Sequence, residues 1–132
     1  MHLIIDGYSR NPNLLQSEEF IYQLLDRYPA EIGMTKISPP HVLRYVGAKP
    51  EEWGISGFVM IAESHISIHT FVEMRYVNLD VFSCKNFDAD QAIKDLSNKL
   101  QLTEVRTHLL DRDMASLGHL DKMGETSLLK PQ

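Results

Sequence analysis

A chain of 132 residues, 43% hydrophobic and 23% charged, is sized and composed for one globular domain that can bury a core without covalent staples. Its net charge of −5, with no block of Lys or Arg, excludes tracking of a phosphate backbone, so no nucleic acid partner is expected. The longest apolar run, GFVMIA at Gly57 to Ala62, falls far short of the ~20 residues a membrane helix needs.

The chain begins MHLIIDGYSR, which lacks the charged start and long apolar core of a signal peptide. HLIIDG, His2 to Gly7, is an apolar run closed by a glycine and predicts a first strand. NPN at Asn11 to Asn13 is a turn signal. A helix is predicted from Ser17 to Tyr28, with Ser17 as cap and Glu18 and Glu19 at the positive end of its dipole. Phe20, Ile21, Leu24, Leu25 and Tyr28 form its apolar face, and Pro29 should end it. MTKIS, Met34 to Ser38, reads as a short strand, the two prolines after it as a loop, and VLRYV, Val42 to Val46, as another strand.

After a polar loop, GAKPEEWG, residues Ser56 to Glu63 and His65 to Thr70 read as two strands or one bent strand pair. YVNLDVFS, Tyr76 to Ser83, is a further strand. Its neighbour Cys84 is the single cysteine, which excludes an internal disulfide or a CxxC motif. Asp88 caps a second helix, with Gln91 in capping-box position and Ala92, Ile93, Leu96 and Leu100 as its inward stripe. EVRTHLL, Glu104 to Leu110, is a last strand. Residues 1–111 form the domain, and from Arg112 onward no period persists, which predicts a loose tail over 112–132.

Strands and helices that each have one apolar face predict an α+β fold, a two-layer sandwich with a mostly antiparallel sheet. Phe58, Val59, Met60 and Ile61 are apolar without alternation, which predicts cover on both faces of that strand. Two helices cover one face. A second copy of the sheet, packed face to face, would cover the other, so a homodimer is expected.

The chemistry concentrates in AESHISIHT, Ala62 to Thr70. On a strand His65, Ser67 and His69 share one face while Ser64, Ile66 and Ile68 share the other. On a helix His65 and His69 would make half of a zinc site, but the flanking Ile, Val and Phe favour a strand, and no further ligand completes the set. No metal is expected. Singly, each of Ser56, Ser64, His69 and Cys84 is an ordinary sheet residue, and a lone cysteine is most often a small hydrophobe.

Together, SGFVMIAESHISIHT, Glu73, Tyr76 and LDVFSC resemble the short prokaryotic form of the S-adenosylmethionine decarboxylase proenzyme. The resemblance is strongest from Ser56 to Cys84 and looser over most of the chain. It implies that the chain cuts itself between Glu63 and Ser64 and turns Ser64 into a pyruvoyl group, the self-derived cofactor that forms a Schiff base with the substrate. Ser56 matches the residue that hydrogen-bonds the scissile peptide, and His69 the base that removes the Ser64 Cα proton. Cys84 matches the proton donor of decarboxylation, and Glu73 the carboxylate that holds the ribose hydroxyls. The implied product is decarboxylated S-adenosylmethionine, the aminopropyl donor for spermidine, made in the cytoplasm.

The chain departs from the family where HTWPE-x-GY is common and HTFVEMRY stands instead. Phe71 keeps a ring able to stack on adenine, Val72 replaces proline, and Arg75 stands where glycine is usual. Tyr45 or Trp53 would supply the aromatic of the loop before Ser56. Two alternatives remain open on sequence: a pyruvoyl-dependent arginine or ornithine decarboxylase of the same fold, or an unprocessed paralogue that binds a ligand or a partner without turnover.

Overall fold

A computed structural model describes residues 1–112; the predicted loose tail lies, from residue 113, outside them. Six strands make one antiparallel sheet: β1 (His2–Ser9), β2 (His41–Tyr45), β3 (Gly54–Ile61), β4 (Ser64–Phe71), β5 (Tyr76–Ser83) and β6 (Leu102–Leu110). Their order is β2-β3-β4-β5-β1-β6, and every pairing is antiparallel. Helices α1 (Pro12–Leu15), α2 (Glu18–Glu31) and α3 (Ala89–Leu100) complete the layers, which is the α+β sandwich expected from the sequence.

The core lies between the sheet and the helices. Ile21, Leu24, Leu25 and Tyr28 of α2 and Ala92, Leu96 and Leu100 of α3 meet Leu3, Ile5, Ile55, Val59, Ile66, Ile68, Leu79 and Val81 of the sheet. Each fully buried Leu or Ile contributes about 1.5–3 kcal/mol. Both long helices carry the caps read from sequence. Ser17 accepts from the Phe20 N–H and Asp88 from the Gln91 N–H. The capping box of α3 is only half made, because the Gln91 amide turns to Asp95 instead. Burial, followed by the hydrogen bond to Asp95, pushes the Tyr28 phenol far above its ordinary range, so it stays a neutral donor bridging α2 to α3.

Three local readings are corrected. Pro29 does not end α2, which runs to Glu31 with the proline inside its last turn. A proline removes one helical N–H and crowds the carbonyl four residues back, which is tolerable where the helix finishes two residues later. The true stop is Gly33 at φ 78°. Its N–H donates to the Ala30 carbonyl and the Met34 N–H to the Pro29 carbonyl, the paired bonds of a Schellman motif that favours glycine in the left-handed position. The turn at Asn11–Asn13 opens into the single-turn helix α1. Met34 to Ser38 forms no strand, only one bridge between Lys36 and Ile61. In one chain Val59 and Ile61 are buried while Phe58 and Met60 are each 42% exposed, so the helices cover one face of β3 and leave the other face of the strand open.

Candidate functional site

The β3 and β4 strands join through a two-residue turn, Ala62–Glu63, with Ile61 opposite Ser64. The Glu63–Ser64 peptide bond is therefore the exit of a tight hairpin. Ser64 has φ 156° and is half-buried, standing at the end of the strand opposite Ser83 of β5. Cys84 follows Ser83 directly and is exposed. Its N–H donates to the Glu63 carbonyl oxygen at 2.8 Å.

The segment after α2 holds the other side of the tip. Ala62 donates to the Thr35 carbonyl, and Ile37 to that of Met60. The Thr35 N–H donates to Glu63 Oε1 at 3.2 Å. Lys85 Nζ lies 3.7 Å from Glu63 Oε2 and donates to the Gly33 carbonyl at 3.0 Å. The Thr35 N–H foremost, with the Lys85 ammonium adding to it, holds the Glu63 carboxyl below its ordinary value.

Ser56 and His69 face each other across β3 and β4, with Ser56 Oγ hydrogen-bonded to His69 Nδ1 at 2.8 Å. They sit on the face that carries no helices. Five residue steps along β4 lead from Ser64 to His69, about 17 Å on an extended strand. Within one chain the structure therefore brings Glu63, Ser64 and Cys84 together and leaves Ser56 and His69 apart from them.

Phe71 and Glu73 belong with the Ser56–His69 end. A cleft of about 280 Å³ is lined there by Tyr45, Glu52, Gly54, Ser56, His69, Thr70 and Phe71. Tyr45 is thus the aromatic that joins Phe71 in the cleft. Trp53 is engaged otherwise: its indole N–H donates to Glu73 Oε2 at 3.3 Å, and the Arg44 guanidinium lies 4.5 Å from its ring centre. Arg75 has φ 56°, a left-handed conformation that glycine adopts without strain, which explains the residue usual at that place.

Two features escaped the sequence reading, the main-chain donor of Cys84 and the clamp of Thr35 and Lys85 on Glu63. The first leaves no trace in residue type. The second joins residues 28 and 22 positions apart, with only the charges of Lys85 and Glu63 as a signal. Among the described residues no group of three or more His, Cys, Asp or Glu is arranged to hold a metal ion, and no helix is long and apolar enough to cross a membrane.

Residues 1–113 match the family model described as S-adenosylmethionine decarboxylase. The chain is 36% identical over 113 residues to the S-adenosylmethionine decarboxylase proenzyme of a Hydrogenobaculum species, covering 85% of this chain and 80% of that one. It is 32% identical over 112 residues to the proenzyme of Archaeoglobus fulgidus, covering 84% and 95%. Among solved structures it is similar to the crystal structure of the adenosylmethionine decarboxylase from Aquifex aeolicus, with a TM-score of 0.71, 28% identity and coverage of 86% and 89%.

Proposed function

The chain belongs to the S-adenosylmethionine decarboxylase family, and on that premise we propose which of its residues carry each step. The activity is decarboxylation of S-adenosylmethionine by an enzyme that processes itself and depends on a pyruvoyl group. The proenzymes named above give no support to arginine or ornithine as substrate, or to a paralogue without turnover.

The observation that carries the assignment is the hairpin tip, where the Glu63 carbonyl is hydrogen-bonded and Ser64 and Cys84 lie side by side. Self-processing starts when the Ser64 hydroxyl attacks the Glu63 carbonyl carbon. The new C–O bond replaces the C–N bond, and the hydroxyl proton passes to the departing nitrogen. His69 of the second chain in the dimer proposed below then removes the Ser64 Cα proton, and Glu63 leaves as a carboxylate with the former serine oxygen. An imidazole is the side chain most often used for such a proton transfer. Water replaces the freed amine, ammonia departs, and residue 64 ends as a ketoacyl group. The residues fit the group: a hydroxyl residue at the hairpin exit, a polarised acyl neighbour and an adjoining thiol.

Once formed, the pyruvoyl group supplies an electron sink for the bond to the departing carboxylate. Across the dimer interface proposed below, Phe71 and Tyr45 of the second chain flank the adenine, and its Glu73 binds the ribose diol with carboxylate oxygens. The Trp53 N–H on Oε2 orients that carboxylate. The Cys84 thiol returns a proton to the substrate Cα after CO₂ leaves.

We also propose a homodimer whose sheets meet on their helix-free faces. Phe58 and Met60 are exposed there. The roughly 17 Å between His69 and Ser64 adds a second reason, since a two-fold axis can lay the partner's Ser56–His69 pair over Ser64. The domain then comprises residues 1–111, cut between 63 and 64, and works in the cytoplasm on a small-molecule substrate.

Denaturing mass spectrometry tests the processing. The 15.1 kDa chain should give a Met1–Glu63 fragment and a second fragment with a blocked N-terminus. Ser64→Ala should keep its full mass, and Cys84→Ala should cleave yet decarboxylate poorly. Release of CO₂ from carboxyl-labelled S-adenosylmethionine, but not from arginine or ornithine, tests the substrate.

A further inference from the structure

We infer that Thr70 is a positioning residue of self-cleavage, its buried hydroxyl stapling the strand ends that carry Ser56 and His69 to helix α1; the inference rests on the self-processing reading above. Thr70 follows His69 on β4 and points to the opposite face, where it is buried in the core. Its hydroxyl accepts from the Ile55 N–H at 2.9 Å and donates to the Leu15 carbonyl at 2.8 Å, with a longer contact of 3.4 Å to the Ile55 carbonyl. Ile55 precedes Ser56 on β3, and Ser56 opposite His69 is the last pair in register at this end of the two strands. The rung is therefore fastened twice. Ser56 Oγ and His69 Nδ1 meet at 2.8 Å on the helix-free face, and Thr70 ties the adjoining residues together on the core face.

His69 is exposed on the open face, so the place of its ring depends on the main chain beneath it. Thr70 fixes that main chain to two others. Leu15 is the last residue of α1 and fully buried, and a carbonyl at a helix end needs a partner from outside the helix. One hydroxyl thus serves a helix carbonyl and a strand N–H together. Gly54 lets the strands approach this closely, since an added Cβ there would lie 1.7 Å from the Thr70 carbonyl oxygen. Proton removal from the partner's Ser64 tolerates little error, because a reacting group misplaced by about 1 Å can cost about 100-fold in rate. Valine at residue 70 would keep the volume but strip the partner from two buried polar groups, which the strand end can repair only by moving.

The experiment follows self-cleavage of freshly synthesised wild-type, Thr70→Val, Thr70→Ser and Ser9→Ala chains by denaturing mass spectrometry. Urea midpoints are read for the same substitutions in the uncleavable Ser64→Ala chain. Thr70→Val should cleave about 100-fold more slowly than wild type, and Thr70→Ser, which keeps the hydroxyl, should recover most of the rate. Ser9→Ala controls for stability alone. The buried Ser9 hydroxyl also donates to a helix-end carbonyl, that of Leu100 at 2.6 Å, but from β1, two strands away from β4. Its loss should lower the midpoint too, yet leave cleavage at the wild-type rate. A wild-type rate in Thr70→Val, equal slowing in Ser9→Ala, or no recovery in Thr70→Ser overturns the inference. A wild-type chain that never cleaves overturns the self-processing reading beneath it. Should Thr70→Val fail to fold, NMR of the Ser64→Ala chain with Thr70 intact supplies a second measurement. A slowly exchanging Thr70 hydroxyl proton with a protected Ile55 amide supports the staple, and rapid exchange of both overturns it.

Discussion

Two inactive variants should rescue one another. His69→Ala keeps its Ser64 but lacks the base, and Ser64→Ala keeps its base but has nothing to cleave. If the Ser56–His69 pair of one chain serves the partner's Ser64, a mixed dimer contains one complete processing site. Five residue steps at about 3.3 Å each put the two halves about 17 Å apart, far beyond the roughly 3 Å that proton transfer needs. Refolding equal amounts together gives about half mixed dimers if pairing is random. About half of the His69→Ala chains, hence about a quarter of all chains, should then release Met1–Glu63, and no Ser64→Ala chain should. Mass spectrometry resolves the two by their different substitutions. A mixture that forms mixed dimers yet releases no fragment would refute the shared site, as would cleavage of His69→Ala alone at the wild-type rate.

Gly54→Ala should destabilise the fold by about 3 kcal/mol or more, read as a lower urea midpoint, because an added Cβ would lie 1.7 Å from the Thr70 carbonyl oxygen. Arg75→Gly should stabilise it by up to about 1 kcal/mol, seen as a higher Tm, since the left-handed φ of 56° burdens any residue with a Cβ. The lowered Glu63 pKa gives a signed pH dependence. The Ser64→Ala precursor should keep the Glu63 contribution to stability above the unfolded carboxyl value of about 4.3 and lose it as pH falls through the lower folded value. Glu63→Gln should abolish that component, and urea titrations of both chains over the acid range measure it.

The chemistry of β4 was legible because its pattern is local. Alternation placed His69 and Ser64 on a strand, and Ser17 and Asp88 announced the helix starts by their side chains. Other features depend on what comes together in three dimensions. Nothing in His2 to Ser9 says that β1 lies between β5 and β6, and only the register shows Ser64 opposite Ser83 and one step from Cys84. The reading of Phe58 to Ile61 as apolar on both sides was sound as composition, but a single chain buries only Val59 and Ile61. The Pro29 reading failed because a local rule for helix interiors was applied to a last turn that Gly33 closes.

The strand order has an effect on what self-scission leaves behind. A cut between 63 and 64, as proposed, would leave a fragment with β1, β2 and β3 and a remainder with β4, β5 and β6. Since β1 is inserted between β5 and β6 while β3 lies against β4, the two pieces are interlaced along three seams of main-chain hydrogen bonds. Severing the hairpin therefore liberates a new chain end without parting the halves. What changes is reassembly: once unfolded, the mature enzyme must find its lost half by collision, so its recovery depends on concentration in a way the uncut precursor's does not.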